Sequence, residues 1–163
     1  MTNAVLVLYT RLNPINRQLE VLFAKKHAEA KVGAGKLNGY GGCIDPGETP
    51  AQAAIRETSE EAGENFLVLE KDLKARGIIT FYDHEIRPKW KVYIFVCDRF
   101  SGEPKESKEM LDPKWFDADQ IPKLDILPAD KLFMPKILSG KTVHNGWVIF
   151  KRNFSGVRGY GGF

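Results

Sequence analysis

Apolar runs alternate with turn-forming segments along the chain. The first two runs, residues 4–9 and 19–24, have the length and the β-branched and aromatic content of strands. Asn13 and Pro14 lie between them and favour a turn, so the pattern predicts a β-hairpin. Further strands are predicted at residues 76–82, 91–97, 113–116 and 142–150.

One predicted helix has clear sequence signals at both of its ends. Thr49 suits the N-cap, Pro50 the first helical position and Gln52 the third, which together form a capping-box pattern. Gly63 suits the C-terminal end, so the helix is predicted over residues 50–62.

The order of elements indicates the fold class. A second helix is predicted at residues 130–138, and strands lie on both sides of the first helix. This order predicts an α/β fold, in which helices cover a mixed β-sheet, rather than an all-β barrel.

The composition fits one domain that needs no covalent support. The chain has 163 residues, of which 43% are hydrophobic, and a domain of this size buries roughly 68–70% of the surface of its unfolded chain. Cys43 and Cys97 are the only cysteines; they could pair, but two reduced thiols are the expected state. No apolar stretch has the length of a membrane span, and the run at residues 4–9 lacks the basic leader of a signal peptide, so a cytoplasmic protein without a membrane partner is expected.

The charge is close to balanced, with 24 Lys and Arg against 21 Asp and Glu. The basic excess lies in residues 141–163, which contain four Lys or Arg and no acid. Because this excess is confined to one end of the chain, it does not indicate a basic binding face on the folded body. Residues 153–163 are rich in glycine and aromatics; they faintly resemble a single-strand-binding segment through Arg158, Tyr160 and Phe163, but a flexible tail is expected.

Three carboxylates, Glu57, Glu60 and Glu61, stand at helical spacings i, i+3 and i+4. Like charges at these spacings repel, so a compensating divalent cation is predicted, with Mg²⁺ or Mn²⁺ favoured by hard oxygen ligands. Mg²⁺ commonly completes its coordination with substrate phosphate, which points to a phosphate-bearing substrate. Arg56 is expected to pair with Glu60 or a neighbouring carboxylate. The alternative is an acidic helix face that is simply solvated.

The spacing of the whole segment resembles the signature of the Nudix hydrolases. The matching residues are Gly42, Glu48, Arg56, Glu57, Glu60, Glu61 and Gly63. Thr58 and Glu64 stand where the signature has apolar residues. The resemblance implies the Nudix fold, a mixed β-sheet between helices in an α/β/α arrangement, over residues 1–152. It also implies hydrolysis of a nucleoside diphosphate linked to another group.

The same resemblance implies the metal site and the catalytic residues. The implied metal ligands are Glu57, Glu60, Glu61, Glu109 and the backbone carbonyl of Gly41. The bound ion is expected to be Mg²⁺, for which Mn²⁺ can substitute. Arg56 joins the four glutamates as a catalytic residue, and Glu57 or another nearby acid is expected to assist deprotonation of water. Glu48 is expected to order the loop and helix rather than to bind metal.

Residues 3–152 also resemble the MutT-type branch that hydrolyses oxidised purine nucleoside triphosphates. The segments that carry this likeness are residues 33–42, 106–110, 115–122 and 128–130, with Pro135 downstream. The branch implies cleavage of the substrate to a nucleoside monophosphate and pyrophosphate in nucleotide-pool sanitation. The substrate-binding residues that it implies are Asn3, Lys25, Asn38, Phe81, Trp90, Leu127 and Asp130.

Two departures from the pattern of this branch leave the identity of the substrate open. Leu127 stands where the branch has a tryptophan, and Ala129 where it has a second aspartate. A nucleotide sugar or ADP-ribose is therefore an alternative substrate, and a non-catalytic nucleotide sensor is an alternative of another class. The partner is expected to be a small nucleotide, and the protein a monomer or a homodimer.

Four of these substrate-binding residues also fit an ordinary structural role. Asn38 suits a turn before a glycine, and Asp130 suits the N-cap of the second predicted helix. Phe81 and Trp90 suit the hydrophobic core.

Overall fold

The computed structural model describes residues 1–163 and contains a mixed nine-stranded β-sheet. The strands are β1 (Thr2–Leu12), β2 (Leu19–Lys26), β3 (Leu37–Asn38), β4 (Tyr40–Cys43), β5 (Lys74–Tyr82), β6 (Pro88–Cys97), β7 (Met110–Asp117), β8 (Val143–Phe150) and β9 (Val157–Gly161). The helices are α1 (Pro50–Ala62) and α2 (Asp130–Leu138), with short 3₁₀ turns at Glu70–Asp72, Ala118–Lys123 and Arg152–Phe154. Both predicted helices are confirmed with their predicted bounds.

The strands follow the order β3-β2-β1-β6-β5-β8-β9, while β4 pairs with β1 and β7 pairs with β2. The pairs β1–β6 and β5–β8 are parallel and the others are antiparallel. The predicted hairpin is confirmed, since Thr10 of β1 faces Val21 of β2. The other half of β1 pairs with β4, where Ala4 faces Cys43. Strand β1 therefore changes partner along its length.

Each face of the sheet has its own core. Along β1, Leu6 and Leu8 belong to the cluster that contains the α2 residue Phe133. Val7 and Tyr9 alternate with them and belong to the cluster that contains Ala54 of α1. This period of two places the helices on opposite faces, which confirms the α/β/α arrangement.

The two cysteines are not bonded to each other: Cys43 is exposed and Cys97 is buried. Neither α-helix combines the length and apolar composition that a membrane crossing requires.

The expectation of a flexible tail at residues 153–163 is wrong. Strand β9 pairs antiparallel with β8, and Val148 faces Tyr160. Beyond β9, the Phe163 ring lies 6.4 Å from that of Phe133 in α2, and Lys136 Nζ donates to the Phe163 carbonyl at 3.2 Å. The glycines and aromatics that suggested disorder instead let the strand lie close to its neighbours.

Deletion of residues 156–163 is expected to lower the melting temperature by about 5–10 °C, because it removes the edge strand and the aromatic contact with α2. Thermal denaturation followed by circular dichroism measures the change. An unaltered melting temperature would show that β9 contributes nothing to the folded state.

Candidate active site

The capping box starts the helix that carries the predicted acidic residues. Gln52 N–H donates to Thr49 Oγ1 at 3.2 Å, and Thr49 N–H donates to the Gln52 side-chain oxygen at 2.9 Å. Proline at the first helical position needs no partner for its nitrogen. Helix α1 then places Glu57, Glu60 and Glu61 in its last two turns.

The three carboxylates do not share one environment. Glu57 and Glu61 are buried, with 8% and 4% of their surfaces exposed, whereas 59% of the Glu60 side chain is exposed. Burial raises the pKa of Glu57. Burial, followed by the negative charge of Glu57, raises the pKa of Glu61 to about 8. Glu57 and Glu61 thus form the inner pair and Glu60 lies at the rim.

Arg56 holds the loop before α1 against the helix. Its Nε and Nη2 donate to the two carboxylate oxygens of Glu48 at 2.6 and 2.9 Å, and Nη1 donates to Glu57 Oε1 at 2.9 Å. A contact with Glu60 is longer, at 3.4 Å. The Arg56 hydrogen bonds, with a second bond from the Asp45 N–H, lower the pKa of Glu48 to about 2. Glu48 orders the loop, as predicted.

The glycines of β4 allow the backbone to lie against these acids. Gly41 N–H donates to Glu61 Oε1 at 3.3 Å. A Cβ atom at Gly42 would come within 2.5 Å of Glu57 Oε1. Only glycine leaves the Glu57 carboxylate in this position.

Gly42→Ala is expected to displace the Glu57 carboxylate and to lower kcat by roughly 10- to 100-fold, with little loss of stability, because a flexible side chain can move aside. Steady-state hydrolysis and thermal denaturation measure the two effects. Gly156→Ala is the matched control, since its Cβ would meet nothing closer than 3.6 Å. Equal kcat values for both variants would show that the position of Glu57 is not critical.

A cavity of about 550 Å³ joins Glu61 to an apolar compartment, whereas Glu57 and Glu60 do not line it. Of the residues predicted from sequence, the cavity is lined by Asn38, Gly41, Gly42, Glu61, Phe81, Trp90, Glu109, Leu127 and Asp130. These residues come from strands β3 to β6, from helices α1 and α2 and from the loops before β7 and α2. The fold therefore gathers positions that are more than ninety residues apart in the chain.

Two of the predicted substrate-binding residues do not reach this cavity. Asn3 is exposed, and its carbonyl accepts the Ile44 N–H at 3.0 Å. Lys25 is also exposed, whereas its neighbour Lys26 lines the cavity. The register between β2 and β7 shifts between Phe23 and Lys25, which disturbs the alternation that places side chains.

Three further residues line the cavity that the sequence pattern does not single out: Lys26, His27 and Lys31. They lie at the end of β2 and in the loop that follows it. His27 N–H donates to the Glu109 carbonyl at 3.0 Å, so this loop is attached to the chain around Glu109. A run of basic residues shortly before a glycine-rich segment was the available signal.

The structure confirms the turn role expected for Asn38 but not the N-cap role expected for Asp130. Asn38 Oδ1 accepts the Gly39 N–H at 2.9 Å, so the residue orders its own turn while lining the cavity. Asp130 is not an N-cap: Ala129 occupies that position, and no side chain caps the helix. The Asp130 carboxyl is buried, which raises its pKa to about 7 against the opposing charge of Lys26.

The two aromatic candidates both line the cavity and pack against the core. The Phe81 ring stacks on Phe150 at 5.8 Å between centroids, and the Trp90 ring lies 5.4 Å from that of Phe154. Core packing and cavity lining therefore coexist, and each ring has a fixed position at the cavity wall.

Residues 4–137 match the NUDIX domain. The chain belongs to the Nudix family. It is 38% identical over 134 residues to the oxidized purine nucleoside triphosphate hydrolase of Mus musculus, covering 82% of this chain and 81% of that protein. It is 43% identical over 109 residues to the protein of the same name from Danio rerio, covering 67% of each. The crystal structure of a MutT protein from Bacillus halodurans has a TM-score of 0.77 at 19% identity, covering 99% of this chain and 97% of that one.

Family membership and the fold confirm the resemblance identified from the signature. The chain is a Nudix hydrolase, an enzyme class that acts on phosphoric anhydride bonds. One signature departure has a structural explanation: Thr58 is buried, and its Oγ1 lies 2.6 Å from the Tyr9 hydroxyl. A polar pair thus replaces the apolar contact of the signature beneath α1.

Nudix hydrolases generally need a divalent metal ion, and the donor set of this chain fits one. Glu57 and Glu61 are two buried carboxylates; burial raises the pKa of both, and neighbouring carboxylates raise them further, Glu60 and Glu109 at Glu57 and Glu57 and Glu109 at Glu61. A cation would relieve this repulsion. No three Asp, Glu, His or Cys side chains are gathered closely enough to hold a metal on their own. Such an arrangement suits an ion that takes one or two carboxylates and completes its shell with water and phosphate.

Proposed function

We propose that this enzyme is a Mg²⁺-dependent pyrophosphohydrolase that cleaves purine nucleoside triphosphates, including oxidised ones, to the monophosphate and pyrophosphate. The observation that carries the proposal is the single cavity that connects Glu61 and Glu109 to Asn38 and Asp130. A base bound at one end of this cavity places its phosphates at the acidic end. The names of the mouse and zebrafish relatives support the same substrate class.

The metal ion of this proposal draws its protein ligands from Glu57, Glu60, Glu61, Glu109 and the Gly41 carbonyl. Bound Mg²⁺ supplies charge neutralisation on the phosphates and an activated water. Glu57 and Glu61 hold the inner side, and exposed Glu60 and Glu109 approach from the rim. Arg56 fixes the orientation of Glu57 through its 2.9 Å hydrogen bond.

The substrate pocket of this proposal uses Asn38 and Asp130 for hydrogen bonds to the purine edge. Phe81, Trp90 and Leu127 provide apolar walls. Lys26 and Lys31 line the same cavity and supply positive charge for the triphosphate.

A second candidate substrate is a nucleoside diphosphate derivative such as ADP-ribose or a nucleotide sugar. The observation that favours it is the apolar Leu127 side chain in the cavity wall, where a stacking ring would give stronger selection for a base. Buried Ala129 leaves Asp130 as the single carboxyl at this position.

Product analysis distinguishes the two candidates. The purified enzyme is assayed with Mg²⁺ against normal and 8-oxo purine triphosphates, pyrimidine triphosphates, ADP-ribose and a nucleotide sugar. Pyrophosphate release with the highest kcat/KM on an oxidised purine is expected. A preference for a diphosphate derivative would reject the triphosphate proposal, and an absence of turnover across the panel would favour a nucleotide sensor.

A further inference from the structure

A second cavity lies on the sheet away from the active site. It measures about 430 Å³, and its lining includes Thr80, Tyr82, Lys91, Asn145 and Trp147. It shares no lining residue with the active-site cavity. It is built on three adjacent strands, β6, β5 and β8.

This second cavity opens on the sheet face opposite to α2. On β5, Thr80 and Tyr82 alternate with Ile79 and Phe81, which belong to the core beneath α2. On β8, Trp147 precedes Val148 of the same core. Since successive side chains of a strand point to opposite faces, the lining residues project away from that core.

Trp147 presents an indole ring on this face. Trp147 is 39% exposed, which places it among the exposed large hydrophobic residues of the chain. Its ring lies over two glycines of β9, because a Cβ at Gly161 would come within 2.8 Å of the indole, and one at Gly159 within 3.6 Å. The indole therefore packs with one face against the backbone of the two glycines.

Basic residues outnumber acidic ones in the segments that build this cavity, and one of them, Lys91, lines it together with Trp147. The β5–β6 hairpin, residues 74–97, contains five Lys or Arg and two acids, and residues 141–163 contain four Lys or Arg and no acid. Both hairpin acids, Asp83 and Glu85, pair with Arg87 at 2.9 and 3.0 Å. Lys91 lines the cavity, and its Nζ lies 5.5 Å from the centre of the Tyr93 ring.

The pairing of β9 makes the basic residues near the end of the chain relevant to binding. A basic excess in a loose tail says little about binding, but β9 is paired with β8 as part of the folded sheet. Arg158 thus belongs to the folded sheet, on the strand that neighbours Trp147. An exposed aromatic ring beside cationic side chains is how proteins bind nucleic acid strands whose bases are unpaired.

We propose that this sheet face binds single-stranded nucleic acid, with a base stacked on Trp147 and the adjoining phosphate near Lys91. The Asn145 amide and the Thr80 hydroxyl lie in the same cavity and can hydrogen-bond to the base or sugar. A duplex does not fit this chemistry, because its base faces are covered by stacking within the helix.

Fluorescence anisotropy of labelled 20-nucleotide oligothymidylate and oligouridylate, with a 20-base-pair duplex for comparison, tests the proposal on the full chain. We expect tighter binding of at least one single strand than of the duplex, with affinity that falls as salt rises. Trp147→Ala should weaken binding about tenfold and Trp147→Phe should preserve most of it. Quenching of tryptophan fluorescence by the strand should be lost in Trp147→Phe.

A charge variant keeps the test valid if Trp147→Ala unfolds. Lys91→Glu is expected to weaken strand binding, whereas Lys123→Glu, at an exposed lysine in the 3₁₀ turn after β7, should not. Nucleotide hydrolysis should be unchanged in Lys91→Glu, so failure of this proposal is separate from failure of the proposed function. Equal affinity for duplex and single strands, equal losses in the two lysine variants, complete competition by a nucleoside triphosphate, or no binding at low salt would each overturn the proposal.

Discussion

Glu57→Gln is expected to lower kcat by roughly a thousandfold. Glu57 is a buried carboxylate of the inner pair, and in the proposed metal site its charge would help to hold the ion that stabilises the reacting phosphates. Loss of a stabilisation of several kcal/mol at about 1.36 kcal/mol per factor of ten gives this magnitude. The amide has the shape of the carboxylate and can still accept the Arg56 hydrogen bond, so the fold should survive.

Hydrolysis rates as a function of Mg²⁺ concentration, together with Mn²⁺ binding followed by electron paramagnetic resonance, measure the effect. Glu64→Gln is the matched control, because Glu64 is exposed just beyond the end of α1. The control should retain full activity and metal affinity. If Glu57→Gln kept normal turnover, Glu57 would not belong to the reaction.

The parts of the fold that sequence predicted well depend on local signals. The sequence predicts helix α1 with its observed bounds because Thr49 and Gln52 start the helix and Gly63 ends it through contacts within a few residues. The β1–β2 hairpin was predicted because its turn residues adjoin its apolar runs. Long-range pairing was not needed for either prediction.

Strand β9 could not be predicted because its own residues carry a weak strand signal, although its partner β8 is the strand just before it in the chain. Gly159 and Gly161 weaken any strand by local propensity. Their structural value appears only with Trp147, whose ring occupies the space that a side chain would fill. Phe163 likewise gains its contact from Phe133, thirty residues earlier.

The candidate site shows the same division. The spacing of Glu57, Glu60 and Glu61 predicted a shared helix face but not that Glu60 would be exposed and the other two buried. That difference depends on where β4 lies against α1. The choice between Lys25 and Lys26 depends on an irregular register in β2, which no periodic pattern reveals.

Asp130→Asn is expected to make the protein more stable above pH 7 and to leave its stability unchanged near pH 4. Burial raises the pKa of the folded carboxyl to about 7, so the folded state keeps a proton that the unfolded chain releases near pH 4. Stability from this group is therefore complete below pH 4 and is lost as the pH rises to 7. The variant lacks this loss, which is on the order of 2–4 kcal/mol by pH 8.

Urea denaturation of both proteins at pH values from 4 to 8 measures this difference, and subtraction removes the contributions of groups that both share.

The same change of charge at Asp130 should alter how the enzyme discriminates between purine substrates. A neutral Asp130 carboxyl can donate to a purine acceptor, whereas the ionised group only accepts. We therefore expect discrimination between oxidised and normal purine triphosphates to change between pH 6 and 8 in the wild type and to stay constant in Asp130→Asn. The variant should also raise KM about tenfold for purines. An equal rise in KM for pyrimidine triphosphates would show that Asp130 supports the cavity wall without contacting the base.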